Sequence, residues 1–291
     1  MRISTEIDAV ASFIGEEKTI EYLARAGFDA WDFSMFAMCR WNWVTNAPYD
    51  TPHPLKGSNY LAFAKKLKQV GLDNGIVCNQ SHAPFPSDKK GMLDNLMRAI
   101  ECTAEAGGKI CVIHPAAFKS PQENAEMYRK LLPFAKAHGV KIATENMWAW
   151  NKEKDCADFA ACATAENFNA VLDAVNDEAF VACLDIGHAE MMGDMANAVE
   201  LIHALGDKLQ ALHIHDNDKH RDLHQIPFSM SIDFQAVAKA LKEISYQGDF
   251  TMEAPTYFNA YTAETVYDGV KALAKSARAF EKMFQNVNIN E

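Results

Sequence analysis

The sequence lacks several features that mark common classes of protein. No apolar run approaches the roughly 18 residues of a membrane-spanning helix, so we expect no membrane partner. The first residues lack the charged and long apolar regions of a signal peptide, which favours a cytoplasmic location. Lysine and arginine form no cluster and the net charge is −11, so we expect no nucleic-acid partner.

Cysteine is present, but without the spacing of a zinc ribbon or a disulfide framework. The chain has seven cysteines, an odd number, and no two of them are separated by two residues. Several lie in apolar runs that resemble strands. We therefore expect reduced and mostly packed thiols at positions 39, 78, 102, 111, 156, 162 and 183.

Apolar residues make up 49% of the 291 residues, which is enough for a large core. They recur in one pattern, in which a short apolar run is followed by polar residues and then by a segment of helical period. Each strand candidate precedes a helix candidate, and the last helix candidate lies near 263–284. The strand candidates lie near 2–6, 28–33, 75–79, 109–113, 140–145, 179–185, 209–215 and 249–253.

Alternating strands and helices predict a parallel sheet, and eight such units predict a closed (β/α)8 TIM barrel. We expect residues 1–291 to form one α/β domain, with a frayed polar tail at about 285–291. The alternative is an open doubly wound sheet. It is disfavoured because no Gly-x-Gly-x-x-Gly motif follows the first strand.

Local patterns support the helical segments. One apolar stripe consists of Leu93, Leu96, Met97 and Ile100. Another consists of Phe234, Val237, Ala238, Leu241 and Ile244, and Asp233 is placed to cap its helix. Glycines just beyond the helices are predicted to take the left-handed conformation, at positions 27, 71, 107, 139 and 248.

Two long inserts interrupt the pattern, one after the second strand (about 34–56) and one after the fifth (about 147–163). In a barrel, both would lie at the C-terminal face of the strands. Both are aromatic, so they either cover the barrel or stack against a ligand. Their aromatic residues are Phe36, Trp41, Trp43 and Tyr49 in the first, and Trp148 and Trp150 in the second.

The ends of strands three to eight carry a carboxylate or an imidazole. In a barrel these ends converge on the face that holds the active site. The residues are His82, His114, Glu145, Asp185, His188, His213, His215 and Glu253.

Three of these residues are acids, Glu145, Asp185 and Glu253, and they would repel one another in an apolar barrel mouth. A divalent cation would remove that conflict, with His213 completing a nitrogen and oxygen shell that suits Mn, Co, Zn or Mg. His215 shares a face with His213 and is either a supporting or a structural residue. Asp222 and His224 follow in a loop.

At these positions the chain resembles the xylose-isomerase-like TIM-barrel superfamily. This superfamily includes sugar and sugar-phosphate isomerases and epimerases, inosose dehydratases and endonuclease IV. The resemblance covers nearly the whole chain. It rests on "ATEN" near 142–146, "LDIGH" at 184–188, "HIHDND" at 213–218, "RDLH" at 221–224 and "TMEAP" at 251–255.

The resemblance implies roles for individual residues. Glu145, Asp185, His213 and Glu253 correspond to the shared shell of one divalent cation, and Glu145 and Glu253 to proton carriers. Other residues correspond to substrate contacts or to the extra zinc ligands of endonuclease IV, so more than one cation is possible. These are His82, His114, His188, Asp222 and His224.

Two positions depart from the pattern. Ketose 3-epimerases carry a further Glu where this chain has Asn151. Many members have a Pro-Gly-x-Gly run where this chain has Pro227–Ser231 without glycine. The first departure weakens a simple ketose 3-epimerase assignment.

The implied function is a metal-dependent isomerase or epimerase of a sugar or sugar phosphate, acting by proton transfer through an enediolate. Arg221 or Lys219 could contact a phosphate. We expect a small sugar or polyol as substrate and a homo-oligomer in solution. The alternatives are an inosose-type dehydratase, a phosphodiester hydrolase similar to endonuclease IV, and an accessory metal-binding subunit of a sugar-processing complex.

Overall fold

Eight parallel strands form the centre of the molecule. The computed structural model describes residues 1–42, 44–49, 52–191, 193 and 197–288. Each predicted strand is present, although the second and third lie slightly later in the chain than expected. The strands are β1 (Ile3–Thr5), β2 (Ala30–Ser34), β3 (Val77–His82), β4 (Ile110–Val112), β5 (Lys141–Glu145), β6 (Phe180–Asp185), β7 (Leu209–His213) and β8 (Phe250–Met252).

The strands close into a ring in chain order. Strands β2 to β7 form one parallel sheet in which each strand pairs with its successor in the chain, and β1 pairs with β8. Single parallel bridges join Glu6 to Asp32 and Ile214 to Met252, so the pair β1–β8 connects to both edges of the larger sheet. The predicted (β/α)8 TIM barrel is therefore confirmed, and an open doubly wound sheet is excluded.

Helices follow the strands and cover the ring. They are α1 (Asp8–Ile14), α2 (Glu16–Ala26), α3 (Tyr60–Asp73), α4 (Met92–Ala106), α5 (Pro121–Ala137), α6 (Ala165–Val175), α7 (Ile186–Ala189), α8 (Ala198–Leu205), α9 (Phe234–Glu243) and α10 (Val266–Asn286). No helix in the described part of the chain is both long and apolar enough to cross a membrane. Residues 289–291, part of the expected frayed tail, lie outside the described residues.

Strand alternation separates two cores and positions the site. The large core fills the space between strands and helices, whereas a small cluster occupies the opposite face of β4 to β7. Because side chains alternate along a strand, the residue two places after each member of that cluster faces the same way. Ala143, Cys183 and Ala211 therefore lead to Glu145, Asp185 and His213 at the mouth. The cluster consists of Val112, Ala143, Val181, Cys183 and Ala211.

Several local predictions are confirmed and three are wrong. The Asp233 carboxylate accepts hydrogen bonds from the N–H groups of residues 235 and 236 at 3.0 and 3.1 Å, as a helix cap. Leu93 is 43% exposed, because the buried face of α4 begins at Met92. Gly71 lies inside α3, where an added Cβ would come within 2.9 Å of the backbone oxygen of Ile76, the residue before β3. Gly248 also has no positive φ; it makes room for the Tyr246 side chain.

The other predicted cap glycines do take the left-handed conformation. Gly27, Gly107 and Gly139 have φ angles of 98°, 93° and 66°. All seven cysteines are free, and all but Cys156 are buried, as expected for packed thiols.

The two aromatic inserts contain short antiparallel ribbons. After β2, Trp41–Asn42 pairs with Ala47–Pro48, between two single-turn helices at Phe36–Met38 and Pro54–Lys56. After β5, Ala149–Asn151 pairs with Cys156–Asp158. Both inserts follow strands and therefore lie at the C-terminal face of the barrel. Trp43 lies outside the described residues.

The α9 cap provides a test of the local energetics. Asp233→Ala removes the acceptor for two N–H groups at the start of α9 and should lower the free energy of unfolding by about 1 kcal/mol. Asp233→Asn retains an acceptor oxygen, so its free energy of unfolding should fall much less. Urea denaturation of both variants measures the difference, and equal stability of the two would contradict the cap assignment.

Candidate active site

Four buried side chains meet at the mouth of the barrel, at the ends of β5 to β8. His213 lies between two carboxylates, with its Nδ1 atom 3.1 Å from Glu145 Oε1 and 3.4 Å from Glu253 Oε2. Asp185 joins them, and ligand atoms of all four lie within 4.8 Å of one another. Three of the four are completely buried, and Glu253 is 6% exposed. The structure thus brings together the four residues predicted to share a cation.

A second layer fixes the orientation of the His213 ring. Its Nε2 atom lies 3.6 Å from Asp32 Oδ2 and 3.2 Å from Gln80 Nε2, and Gln80 donates a hydrogen bond to Asp32 at 2.9 Å. A proton on Nε2 faces the Asp32 carboxylate. This arrangement directs the Nδ1 atom between Glu145 and Glu253, where a bound cation would take the place of its proton.

Two further histidines share the outer oxygen of Glu145. The Nε2 atoms of His82 and His114 lie 2.7 Å apart, and they lie 3.7 and 3.3 Å from Glu145 Oε2. The other nitrogen of His82 lies 3.3 Å from Glu253 Oε1. Glu145 therefore connects this pair to the central four residues.

A third group converges on Asp222. The Asp222 Oδ2 atom lies 3.4 Å from His188 Nε2 and 3.1 Å from His224 Nε2. Each histidine is anchored through its Nδ1 atom, His188 to the Asn146 carbonyl at 3.0 Å and His224 to the Glu253 carbonyl at 2.9 Å. Their Nε2 atoms are thereby directed at a common point beside Asp222 Oδ2. The structure therefore brings Asp222 and His224 to the other candidate site residues, where the resemblance placed them.

His215 packs directly beneath this third group. Its ring stacks on His224 with a centroid distance of 3.8 Å, and its Nε2 atom lies 3.0 Å from Asp185 Oδ1. A Cβ atom at Gly187 would come within 1.9 Å of the His215 ring. The glycine of the "LDIGH" motif therefore makes room for a histidine that links the central and third groups.

Charge stabilises the site. Burial disfavours the charged form of Glu145, but His213 and His114 hold its pKa well below the usual range. Burial also disfavours the charged form of Glu253, but His213 and His82 lower its pKa by more than burial raises it. Burial disfavours protonation of His224, yet Asp222 raises the pKa of that imidazole to about 9. The carboxylates are thus held ionised, which is the state that binds cations.

Unpartnered buried atoms provide a test of whether the residues fit a cation. Within the described part of the chain, five such atoms of the site make no hydrogen bond of good geometry: His82 Nδ1, Glu145 Oε2, Asp185 Oδ2, His215 Nε2 and Asp222 Oδ1. All but Asp185 Oδ2 still lie 3.0–3.7 Å from a group of opposite charge. Unsatisfied buried polar atoms are rare in proteins and often mark a missing ion or water. Neighbouring ligands of a tetrahedral cation with bonds of about 2.1 Å lie about 3.4 Å apart. Many distances given above are close to that value, so the residues fit divalent cations.

A cavity of about 500 Å³ opens above these groups. Both Glu145 and Glu253 line its floor, together with His82, His114 and His188. A small molecule in this cavity would therefore contact the two carboxylates directly.

Two residues expected to contact phosphate are engaged elsewhere. Arg221 forms an ion pair with Asp155 at 2.9 Å and lies 4.0 Å above the Trp150 ring. Lys219 pairs with Glu190 at 3.3 Å. Neither of these basic residues lines the cavity.

The two tryptophans of the second insert dock on the loop after β7. Trp150 lies under Arg221, and the Trp148 indole donates a hydrogen bond to Asp222 Oδ2 at 3.3 Å. The insert therefore supports the loop that carries Asp222. Trp148 also lines the cavity, whereas Trp150 does not.

Three buried polar residues near the site were not predicted from sequence. They are Glu6, Asp32 and Gln80, each at most 3% exposed. Glu6 directly follows β1, and Asp32 and Gln80 lie within β2 and β3. Extending the search for strand-end polar residues to the first two strands would have identified Glu6 and Asp32.

Glu6 generates a prediction for stability. Burial, together with nearby Asp8, raises the pKa of Glu6 to about 8. A raised pKa stabilises the fold at low pH, and this contribution is lost as pH rises toward 8. In metal-free protein, the unfolding free energy of Glu6→Gln relative to the wild type should therefore rise by roughly 1 kcal/mol per pH unit between pH 5 and 8.

Urea denaturation at several pH values measures this difference. Glu21→Gln, at an exposed helix position, is the control and should follow the wild type. A constant difference between Glu6→Gln and the wild type across the range would contradict the assignment.

Known proteins with the same architecture were found by sequence and by structure. An uncharacterised protein of Methanocaldococcus jannaschii is 25% identical over 261 residues, covering 83% of this chain and 80% of the relative. A crystal structure of D-psicose 3-epimerase in the presence of D-fructose superposes with a TM-score of 0.71 at 15% identity, covering 99% of this chain and 100% of that one. The IolI protein with a bound zinc atom gives a TM-score of 0.69 at 18% identity, covering 98% of both chains.

At these identities the structural matches establish a shared fold. The family is established separately by a model described as the xylose isomerase-like TIM barrel, which matches residues 20–282. That match includes every residue of the three groups at the barrel mouth. The chain belongs to the xylose isomerase-like TIM-barrel family.

Proposed function

We propose that this protein is a divalent-metal-dependent isomerase or epimerase of a sugar or a closely related polyol. The observation that carries the proposal is the placement of Glu145 and Glu253. The two carboxylates lie on either side of His213 and both line the floor of the cavity. A substrate bound there has a carboxylate on each side of its reacting carbon.

This arrangement suits the transfer of a proton to and from carbon. One carboxylate removes the proton next to a carbonyl, and the other returns a proton on the same or the opposite face. A bound divalent cation would supply the positive charge that stabilises the enediolate oxygens. Glu145, Asp185, His213 and Glu253 would hold that cation, which we propose to be Mn, Co, Zn or Mg.

The surrounding histidines orient the substrate. His114 and His188 both line the cavity beside Glu145. Burial lowers the pKa of His114, which favours a neutral ring that can accept or donate a hydrogen bond to a hydroxyl. His188 presents its Nε2 atom next to Asp222.

The named structural neighbours agree with this class of reaction. The titles of several describe epimerases of free sugars, including L-ribulose 3-epimerase, which has a TM-score of 0.68 at 20% identity. The zinc in the IolI structure supports a divalent cation in this fold. The substrate and the metal of this chain remain part of the proposal.

A second function is favoured by the number of ligand groups. Three sets of side chains could each hold a cation: His82 with His114 and Glu145, the central four residues, and His188 with His215, Asp222 and His224. Two or three cations side by side would suit hydrolysis of a phosphodiester. The net charge of −11 disfavours a nucleic acid as the substrate of such a hydrolase.

Metal content separates the two functions. Protein purified without chelator should contain about one Mn or Co per chain by elemental mass spectrometry. The double variant Glu145→Gln, Glu253→Gln should lose it, because two of its four ligands lose their charge. The control Glu166→Gln, Glu178→Gln changes net charge equally at exposed positions and should retain the metal.

The other outcomes are equally informative. Two or three Zn per chain, with cleavage of bis(4-nitrophenyl) phosphate, would replace the isomerase proposal by the hydrolase. No metal uptake on titration would exclude both enzymes.

Proton transfer can be measured directly. With a panel of ketoses in D₂O and saturating metal, the wild type should incorporate deuterium at the carbon next to the carbonyl. Glu145→Gln and Glu253→Gln should each reduce the rate by about 10²–10⁴-fold, the usual contribution of a general acid or base. Deuterium exchange at the wild-type rate in either variant would show that its carboxylate does not carry the proton.

A further inference from the structure

The walls of the cavity differ in chemistry from its floor. The floor consists of imidazoles and carboxylates, whereas the side walls are formed mostly by aromatic and other apolar side chains. These wall residues are Phe36, Phe85, Phe118, Met147, Trp148 and Pro255. A ligand that fills the cavity therefore meets polar partners at one end and apolar surface along its sides.

Phe118 is the most informative of these residues. It lines the cavity and is 84% exposed, so its ring faces the open space with little cover from the protein. Phe85 is already stacked on His114, with a centroid distance of 5.0 Å and an interplanar angle of 27°. Exposed apolar area next to a polar site is typical of a surface that a ligand covers.

A second cavity of about 270 Å³ adjoins the first. The two cavities share Ser87, Asp88, Lys89 and Ala116, and the second adds Leu93, which is 43% exposed. The Ser87 hydroxyl is buried and lacks a hydrogen-bonding partner among the described residues. Space for a ligand thus extends beyond the metal-binding groups, with one polar anchor at the junction.

A small unsubstituted sugar matches only part of this space. Each of its hydroxyl groups must keep a hydrogen bond when it leaves water, and an unpaired buried hydroxyl is costly. The floor can satisfy the hydroxyls near the reacting carbon. The aromatic walls offer no comparable partners, so they fit a ligand whose outer part is apolar.

The lysines at the cavity do not indicate a phosphate instead. Lys119 pairs with Glu123 at 2.9 Å, and Lys89 lies 3.8 Å from Asp88. Each ammonium group is therefore next to a carboxylate. An apolar substituent explains the lining better than an anionic one.

We propose that the substrate is a keto-sugar or keto-polyol that carries an aryl or similarly planar apolar group. The polar ring lies on the floor between Glu145 and Glu253, and the apolar group lies against Phe118. This assignment of substrate class rests on the proposed isomerase function. Phe118 is a specificity-determining residue in this arrangement, since it contacts the substituent and not the reacting carbon.

Calorimetric titration with a matched pair of probes tests the assignment. Phenyl β-D-glucopyranoside and methyl β-D-glucopyranoside share the sugar and differ in the apolar group. The metal-loaded wild type should bind the phenyl glycoside at least about tenfold more tightly, because the phenyl ring covers exposed aromatic surface. Phe118→Ala should remove most of that preference and leave binding of the methyl glycoside unchanged.

Phe159→Ala is the matched control. Phe159 is 48% exposed on the second insert and does not line the cavity, so this variant should keep the wild-type preference. Equal affinity for the two glycosides, binding of neither, or an unchanged preference in Phe118→Ala would overturn the proposal.

These outcomes are independent of the reaction. A phenyl preference without deuterium exchange on any substrate would reject the isomerase function and retain the binding assignment. Deuterium exchange with free ketoses, but no preference for the phenyl glycoside, would retain the isomerase function and reject the proposed apolar substituent.

Discussion

The rest of the site depends on one electrostatic constraint, the burial of three carboxylates around His213. Glu145, Asp185 and Glu253 are at most 6% exposed, and like charges at such distances repel strongly in a region that excludes water. Imidazoles offset part of this repulsion and hold the pKa of the glutamates low. Even so, the buried Asp185 Oδ2 atom has no hydrogen-bonding partner among the residues that the structure describes. A divalent cation satisfies both requirements, and for that reason the metal site is central to the proposed function.

The barrel meets this constraint through supporting contacts on several strands. Asn146, directly after β5, accepts the N–H of Asp185 and donates to its carbonyl, at 2.8 and 2.9 Å, and so ties together the ends of β5 and β6. The same residue anchors His188 through its own carbonyl. On the other side of the ring, Asp32 orients His213. Ligands from different strands are thereby held in fixed positions before any substrate binds, which is the preorganisation that metal-assisted proton transfer requires.

The inserts add substrate space to this fixed floor. Trp148 joins the two parts of the site, because its indole donates to Asp222 and its ring also lines the cavity. The aromatic walls provide a low-dielectric boundary that strengthens the interactions among the charges at the floor, and the proposed apolar outer group would lie against them. The absence of the ketose 3-epimerase Glu at Asn151 is consistent with a different substrate: the Asn151 amide instead donates to Asp158 at 2.8 Å within the insert ribbon.

The barrel, and the meeting of Glu145, Asp185, His213 and Glu253 at its mouth, could be predicted from the sequence, because the alternation of strands and helices and the residue types at strand ends are visible in the sequence. The prediction was wrong where local pattern and packing diverge. Leu93 lies at a position of the apolar stripe of its helix, but it faces solvent beside the second cavity. Gly71 lies inside a helix, where the backbone oxygen of Ile76 leaves no room for a Cβ atom, and not in a turn. The family resemblance pointed to Asp222, but its contact with His188 and the ion pair of Arg221 with Asp155 became known from the structure alone. Loop conformation depends on contacts between segments far apart in the chain, which no local pattern encodes.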